Sequence, residues 1–490
     1  MTPIQTFQGK ILDEDWARFD HYAKKVQSIC VVGPREGHPI ASNVYVQLAR
    51  LHPEPLLPSL RKFTVTVSTD VVVANLDPAA FLCLSPATSS ITFQSMDSVE
   101  AGSFATTLLS SFSQEWPASL TTLNLDGDIG TEVLAVLGEF TQLSTLDLNF
   151  NSAPPATFLN CLRDVEELKH LTISLHPGDC LPHDFPRPSA LKSFRKLASL
   201  KVKASSSDLR ILFRHLVGMV PTLETLVLTF VVPESQTWTP DLELFSTFAP
   251  VALKNIMLTT SHFPPPELNI NTLMWFSPCK LRSLVISGFK LKASNKDILG
   301  LFKMCASTWA DLETLELPCF VTGPYGCPSL TLLEELAKFL PRLRDLSICV
   351  DTNLDPMPDV EARAAKATRG THPLAQLAIS SLVLESTAGI SEAIVVSQYL
   401  ERIFPNLSET RHYRAQPSEW WGGVFKLLES HRRFKDEMMG NTSSRGRLCI
   451  ENAKSESRSE GQVVPRKEAV PIPISKDQFL FTFGAPSKSA

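Results

Sequence analysis

The apolar residues of this chain fall into two alternating patterns. Five of them have the spacing i, i+3, i+4, i+7 and i+8, which places them on one face of a helix: Leu209, Leu212, Phe213, Leu216 and Val217. Asp208 or a preceding serine can cap this helix. Pro221 ends it, because the residue before a proline is driven out of the α region. Apolar and polar residues then alternate from Leu223 to Leu228, as in a short strand with one buried face.

The strand pattern is Leu-x-x-Leu-x-Leu, with other apolar residues allowed, and it recurs along the chain. Nine clear copies begin at Leu120, Leu143, Leu168, Leu197, Leu223, Leu253, Leu281, Leu312 and Leu343. Weaker copies begin at Leu60, Thr88, Ile379 and Leu407. The clear copies follow one another at similar intervals, and helical patterns lie between several of them. Strand-plus-helix repeats with this spacing are the signature of a leucine-rich-repeat solenoid.

We therefore predict an α/β leucine-rich-repeat solenoid, with short parallel strands on its concave side and helices on its convex side. Residues 1–55 are expected to form a helical N-terminal cap, and residues 56–412 the irregular repeats. Residues 413–433 are expected to form a capping helix. Residues 434–490 are rich in Ser, Lys, Arg, Glu and Pro, which predicts a disordered tail.

The N-terminal cap is predicted to contain two helices, over residues 13–29 and 42–51. The spacing places Trp16, Phe19, Ala23 and Val26 on one face of the first helix. In the second helix, Val44, Leu48 and Leu51 are expected to face inward. Between the repeats, insertions rich in Pro, Gly or charge predict surface loops. These insertions cover residues 176–188, 233–240, 263–267, 319–328 and 351–373.

Composition narrows the range of functions. The net charge is −5 and the pI about 6.2, so nothing global favours nucleic acid or an anionic membrane. The sequence shows neither a signal peptide nor a stretch of 18 apolar residues, so a cytoplasmic or nuclear protein is expected. The ten cysteines form no CxxC pair and are interpreted as free thiols in a reducing compartment. A disulfide between Cys319 and Cys327 is the alternative.

The sequence offers no set of residues that predicts catalysis. It has none of the glycine-rich phosphate loops, serine-hydrolase elbows or paired zinc ligands that mark common active sites. Asp126, Asp128 and Asp147 lie close together, but acidic residues are ordinary on a solvated strand and their spacing fits no calcium loop. We therefore expect a protein that is not an enzyme and that uses neither a cofactor nor a metal.

The residues between the apolar anchors are predicted to face solvent on the concave side. Val227, Met257 and Val285 occupy equivalent positions in three adjacent units, and such a patch more often marks a contact surface than chance. Lys201 and Lys203 lie on one side of it. On the other side lies a single acidic residue, Glu316. These six residues are the predicted partner-binding site; the alternative is that the exposed positions vary freely and bind nothing.

Three segments carry a resemblance to a known family: DEDWARFDHYAKKVQSI at residues 13–29, SNVYVQLARL at 42–51 and LLPSLRKF at 56–63. They resemble the linker between F-box and repeats in the F-box, leucine-rich-repeat-like proteins of mushroom-forming fungi. The resemblance implies that the repeats select a substrate for a cullin–RING ubiquitin ligase, and that an F-box before Asp13 binds a Skp-type adaptor. The twelve residues before Asp13 do not match an F-box, so we expect either that the chain is truncated or that it has lost its coupling to the ligase.

These observations predict a protein–protein interaction module. We expect the substrate-recognition subunit of a ubiquitin ligase, with its protein partner on the concave face and a Skp-type adaptor bound only if an F-box lies upstream. Neither nucleic acid nor a membrane is expected as a partner. The alternative is a ubiquitin-independent leucine-rich-repeat scaffold or regulator, for example one that binds a GTPase or a phosphatase.

Overall fold

The structure is a computed structural model of the 490-residue chain. The described residues fall into two compact units, one ending at Lys290 and one beginning at Leu291. The structure describes residues 11–32, 42–52, 54–66, 77–176, 181, 194–216, 220–231, 252–260, 265–293, 295–318, 332–350, 381–385, 397, 399–401, 403–404, 409–411, 423–424, 426–430 and 433–434.

Short strands alternate with helices through most of the first unit. The strands are β1 Ser28–Val32, β2 Lys62–Thr66, β3 Ser90–Met96, β4 Thr122–Gly127, β5 Thr145–Phe150, β6 His170–Leu175, β7 Ser199–Ala204, β8 Thr225–Phe230, β9 Asn255–Thr260, β10 Glu267–Asn269 and β11 Ser283–Ser287. The α-helices are α1 Asp13–Ala23, α2 Ser42–Leu51, α3 Asp77–Cys83, α4 Val99–Glu115, α5 Thr131–Val136, α6 Phe158–Leu162 and α7 Ser206–Leu216. Two 3₁₀ helices cover Leu137–Glu139 and Ile270–Phe276.

The second unit continues the alternation. After β12, Lys290–Lys292, which starts at the boundary, its elements are α8 Asn295–Thr308, β13 Thr314–Glu316, α9 Leu332–Phe339, β14 Asp345–Cys349, β15 Ser381–Glu385 and β16 Glu409–Arg411. Among the described residues near the C-terminal end, 423–424 and 426–430 are helical. The assignment of this region as a cap stays a prediction.

The strands form parallel ladders in which sequence neighbours are also spatial neighbours. In the first unit, β1 to β9 pair in order and β11 follows β9. In the second unit, β13 to β16 pair in order. This is an α/β repeat architecture, consistent with a solenoid. Each predicted copy of the strand pattern coincides with a strand of the ladder, including the weak copies that begin at Leu60, Thr88, Ile379 and Leu407.

The apolar anchors of the pattern form continuous buried rows, because the parallel register aligns equivalent residues of successive strands. The row of second anchors is at most 5% exposed in every member. From β1 to β9 and then β11 it consists of Ile29, Phe63, Ile91, Leu123, Leu146, Leu171, Leu200, Leu226, Ile256 and Leu284.

Thr88 replaces a leucine at a first-anchor position and is nevertheless fully buried. Its Oγ1 donates to the carbonyl of Leu60 at 3.2 Å and accepts from the backbone N–H of Ser85 at 3.2 Å. A buried hydroxyl is tolerated when it is hydrogen-bonded. This explains why a weak copy of the sequence pattern still produces a complete strand.

The backbone carbonyl just before each of β1 to β9 accepts hydrogen bonds from two consecutive N–H groups of the next repeat. The carbonyl of Ala198, for example, accepts from Glu224 and Thr225 at 2.9 Å each, and that of Glu224 accepts from Lys254 and Asn255 at the same distance. The shared carbonyl fixes where each strand starts relative to its neighbour. The register is therefore set before the strand itself begins.

Two glycines at strand ends allow neighbouring backbones to approach closely. Gly127 has φ of 132°, and a Cβ there would lie 2.5 Å from the backbone nitrogen of Met96. Gly288 has φ of 78°, and its Cβ would lie 1.9 Å from the carbonyl oxygen of Thr260. Both the positive φ and the short distances exclude a side chain. These positions therefore require glycine.

The capping of α7 agrees with the sequence-based prediction. Ser205 Oγ accepts from the backbone N–H of Asp208 at 3.2 Å, as an N-cap side chain does. Asp208 is 1% exposed, and its carboxylate accepts from the Ser205 hydroxyl and from the backbone N–H of Leu181 at 2.8 Å. This carboxylate therefore ties the segment after β6 to the start of α7.

The prediction of one helix over residues 13–29 is wrong. α1 ends at Ala23, and Ser28–Val32 forms β1. The alternation of apolar residues here permits a strand, and pairing with β2 leaves Ile29 and Val31 only 5% exposed. The expected inward orientation of Leu51 is also wrong, since its side chain is 56% exposed.

Several sequence-based predictions concern residues outside the described ranges. They include the tail beyond residue 434, most of the five insertions, and the alternative disulfide between Cys319 and Cys327. Among the described residues, no helix combines the length and the apolar character needed to cross a bilayer.

Leu226→Ala is predicted to destabilise the chain more than Ile29→Ala does. Both side chains belong to the same buried row. Leu226 has paired strands on both sides, whereas the described partner of β1 is β2 alone. Leu226→Ala should lower the free energy of unfolding by about 2–5 kcal/mol. Ile29→Ala should lower it by less, because fewer neighbouring repeats lose contacts. Urea denaturation followed by circular dichroism measures both, and equal shifts would contradict mutual stabilisation of stacked units.

Candidate functional site

Opposite the buried rows, the sheet of the first unit presents rows of side chains that are partly or fully exposed. The middle row runs across every strand of the ladder and changes character along it, from polar to acidic, then basic, then apolar. From β1 to β9 and then β11 it consists of Cys30, Thr64, Thr92, Asn124, Asp147, Thr172, Lys201, Val227, Met257 and Val285.

Val227, Met257 and Val285 are consecutive members of the middle row, and we call them the apolar strip. Val227 pairs with Met257, and Met257 with Val285, in the strand register. Met257 is 39% exposed, while the two valines are partly buried. Alternation along each strand forces the three side chains onto this face, because their neighbours in sequence are the buried anchors.

Small neutral side chains line the apolar strip on both sides. One flanking row contains Thr225, Asn255 and Ser283, and the other contains Thr229, Thr259 and Ser287. Several of these groups are already hydrogen-bonded to one another. Asn255 Nδ2 donates to Thr225 Oγ1 at 3.1 Å, and the hydroxyls of Thr229 and Thr259 lie 2.9 Å apart. The strip is therefore bordered by small, uncharged polar side chains.

Lys201 and Lys203 on β7 form the basic end of the strip. Lys201 is in register with Val227, and Lys203 with Thr229. Both side chains are exposed, and within the part of the chain that the structure describes neither forms an ion pair. The two ammonium groups therefore face solvent, one strand away from an apolar side chain.

Asp147 lies in the same row as Lys201, two strands earlier. Burial raises the pKa of its carboxyl group above the ordinary value, Lys201 acts to lower it, and Asp126 raises it further. The interaction with Lys201 shows that charges on this face influence one another across strands. The exposed row thus passes from a partly buried acidic position to a basic one before it becomes apolar.

Glu316 lies in the second unit, in register with Ser347 on β14. Its side chain is partly buried, and that burial raises the pKa of its carboxyl group. Five of the six predicted site residues therefore belong to one unit, with Lys201 and the strip in one row and Lys203 beside them. The predicted role of Glu316 as the acidic side of the strip stays a prediction.

A network of acidic and amide side chains at the carboxyl ends of β3 to β5 did not emerge from the sequence pattern. Asn149 Nδ2 donates to Asp126 Oδ1, and Asn151 Nδ2 donates to Asp97 Oδ1 at 2.8 Å. The sequence signal is the presence of Asn and Asp residues near the last position of successive strands or directly after it. Amide donors therefore already engage two of these carboxylates.

Three of the described thiols have little nucleophilic character. Burial raises the pKa of Cys83 and Cys305 to about 12 and that of Cys279 to about 11. Thiols with such pKa values stay protonated at neutral pH and are poor nucleophiles. Within the described ranges, no three His, Cys, Asp or Glu side chains are grouped as a metal site requires.

Comparisons with known proteins add little. No protein-family model matches the chain, and no curated protein matches it significantly. Among solved structures, one similar chain is a Bacteroides fragilis protein whose crystal structure came from a structural genomics consortium. It is 15% identical, and the match covers 53% of this chain and 66% of that one, with a TM-score of 0.29. A likeness this distant carries no argument about function.

Asp147→Asn is predicted to stabilise the chain at neutral pH. Because the pKa of Asp147 is higher in the folded chain than in the unfolded one, the free energy of unfolding decreases as pH rises through the folded pKa. An asparagine removes the cost of keeping a charged carboxylate in this partly buried position. The free energy of unfolding of the variant should therefore exceed that of wild type at neutral pH. The difference should shrink as pH falls below that pKa. Urea denaturation across the acidic range measures it.

Lys201→Met is the companion variant for this prediction. It removes the charge that lowers the pKa of Asp147, so the stabilising effect of Asp147→Asn should be larger in the Lys201→Met background. A stability difference that does not change with pH would show that burial leaves the carboxyl group unaffected.

Proposed function

We propose that the chain is a protein-interaction module of the leucine-rich-repeat type, which binds a partner protein on the exposed face of its strands. The observation that carries this proposal is the middle row of the first unit. There, an apolar strip of three consecutive members of the row adjoins two exposed lysines that have no ion-pair partner among the described residues.

The repeat type is supported by the coincidence of sequence pattern and strand. Leu-x-x-Leu-x-Leu recurs at similar intervals in its clear copies, from Leu120 to Leu343, and each copy supplies one strand of a parallel ladder. Helices between strands bury the apolar faces that their spacing predicts, as in α8, where Ile298, Leu301, Phe302 and Cys305 are at most 3% exposed. In a leucine-rich-repeat solenoid the strands line the concave surface, so the apolar strip would lie there.

The physical roles within the surface differ between its apolar and charged parts. Covering the apolar strip removes it from water and supplies the central contact, and such central contacts usually dominate affinity. The lysines lie at one end of the strip, where they attract an acidic partner and restrict its orientation. A partner with an apolar anchor next to acidic groups fits this arrangement in one direction.

A role as substrate-recognition subunit of a ubiquitin ligase is the biological setting we propose for this module. It rests on the resemblance of residues 13–29, 42–51 and 56–63 to the linker of the F-box, leucine-rich-repeat-like proteins. Capture of a Skp-type adaptor from cell extract, by the chain together with any F-box encoded in frame before Met1, would support this setting. Capture of other proteins through the same surface, without the adaptor, would favour a ubiquitin-independent scaffold or regulator.

Met257→Asp is predicted to abolish capture of the specific partner without unfolding the chain. Met257 is 39% exposed, so an aspartate there stays hydrated, whereas in a complex it would be buried unpaired. Binding should weaken at least about 30-fold, as for a central contact worth about 2 kcal/mol. Affinity capture with quantitative mass spectrometry measures the loss, and a thermal melt checks the fold.

Met274→Asp is the matched control. Met274 lies on the 3₁₀ helix Ile270–Phe276 and is 49% exposed, so the same substitution adds the same charge away from the apolar strip. Capture should be unchanged in this variant. Equal capture by wild type and a folded Met257→Asp variant would exclude the strip as the binding site.

The double variant Lys201→Glu with Lys203→Glu is predicted to slow association more than it speeds dissociation. Exposed charges at the end of an interface mainly steer the encounter, and salt screens them over about 8–10 Å. The rate of association should therefore be lower than in wild type, and it should no longer fall as the salt concentration rises. Surface plasmon resonance over a range of salt concentrations measures both, and an unchanged salt dependence would contradict the steering role.

A further inference from the structure

We propose that the element of the partner that binds the apolar strip is an amphipathic helix lying across the strands, with acidic side chains in its C-terminal turn over Lys201 and Lys203. The inference rests on the proposed function and deepens it, because it names the shape and charge of the bound segment. It follows from spacing, width and charge on the exposed face.

The spacing of the strip matches a helix better than an extended peptide. Adjacent strands lie about 4.8 Å apart, so Val227 and Val285 are separated by roughly 9.6 Å across Met257. Two turns of an α-helix rise about 10.8 Å. Four residues of an extended chain, which bring two further side chains to the same face, span about 13 Å. Only the helix places one apolar side chain over each strand.

The width of the neutral surface also suits a helix. The two flanking rows lie on either side of the apolar strip, and residues two apart along a strand are separated by about 6.6 Å. The three rows together are therefore about 13 Å wide, while a helix with its side chains is about 10–12 Å across. The flanking side chains are small, and their mutual hydrogen bonds, such as Asn255 to Thr225, remain intact when they are covered.

The two lysines define the direction of the helix. Lys201 continues the row of the apolar strip by one strand, so the next helical turn lies above it. Carboxylates on that turn would pair with Lys201 and Lys203. The C-terminal end of a helix also carries a partial negative charge, which favours a position near cations. We place the acidic turn at the C-terminal end, where the last carbonyls of the helix and the carboxylates both face the lysines; acidic side chains there oppose the dipole of the free helix, and the two lysines offset that cost. Asp147 beyond the lysines disfavours a longer acidic run.

The expected motif has apolar residues at i, i+3 or i+4, and i+7, followed by Asp or Glu at i+10 or i+11. A phage-displayed library of random peptides of about 16 residues, roughly four helical turns, can be selected against the full-length chain. The selection predicts enrichment of this motif. Bound peptides should lose affinity at least about 30-fold on Met257→Asp and about tenfold on the double lysine reversal. Met274→Asp should leave their affinity unchanged.

Other outcomes overturn the inference in distinguishable ways. Enriched peptides that depend on Met257 but carry alternating apolar residues, or basic ends, would retain the proposed binding surface and exclude the acidic helix. Peptides insensitive to Met257→Asp, or no enrichment above the bare support, would overturn the inference. The proposed function is judged separately, by partner capture. Sedimentation of the chain alone tests whether a second copy occupies the strip. If the chain dimerises with increasing concentration and Met257→Asp abolishes this dimerisation, the occupant is a second copy and not a separate helical partner.

Discussion

Parallel pairing between consecutive strands is the constraint on which both faces of the first unit depend. The carbonyl before one strand binds two N–H groups at the start of the next, as Ala198 does for Glu224 and Thr225, and so sets the register. Once the register is set, equivalent residues of successive repeats lie in rows. The same hydrogen bonds that align the buried leucines thus also align Lys201, Val227 and Met257 on the exposed side.

Much of this architecture can be predicted from the sequence because the period of the apolar residues is itself the structural signal. The strands after Leu60 and Thr88 follow from weak patterns and are present, since hydrogen bonding satisfies the buried Thr88 hydroxyl. The region before residue 55 is predicted less well. Local periodicity extends the first helix to Ile29, because it does not reveal that Ser28 and Ile29 pair with Lys62 and Phe63, which lie far along the chain.

The candidate site is predictable to the extent that it depends on alternation. Position within the repeat alone places Val227, Met257 and Val285 in one strip, and the register agrees. The electrostatic properties of the site are harder to predict from the sequence. The raised pKa of Asp147 depends on burial and on charges from other strands, and the hydrogen bond from Asn149 to Asp126 joins two adjacent repeats. Neither depends on neighbours in sequence, so three-dimensional placement is needed to find them.

The arrangement of the strands has a consequence for how such a surface can change during evolution. The clear repeats differ in length, yet all deliver a strand to the parallel ladders, so insertions and deletions are absorbed in the connections. A one-residue insertion inside a strand would exchange its buried and exposed faces, and selection should remove it. Substitution at single exposed positions, together with gain or loss of whole repeats, is therefore the route by which this face can acquire new partners.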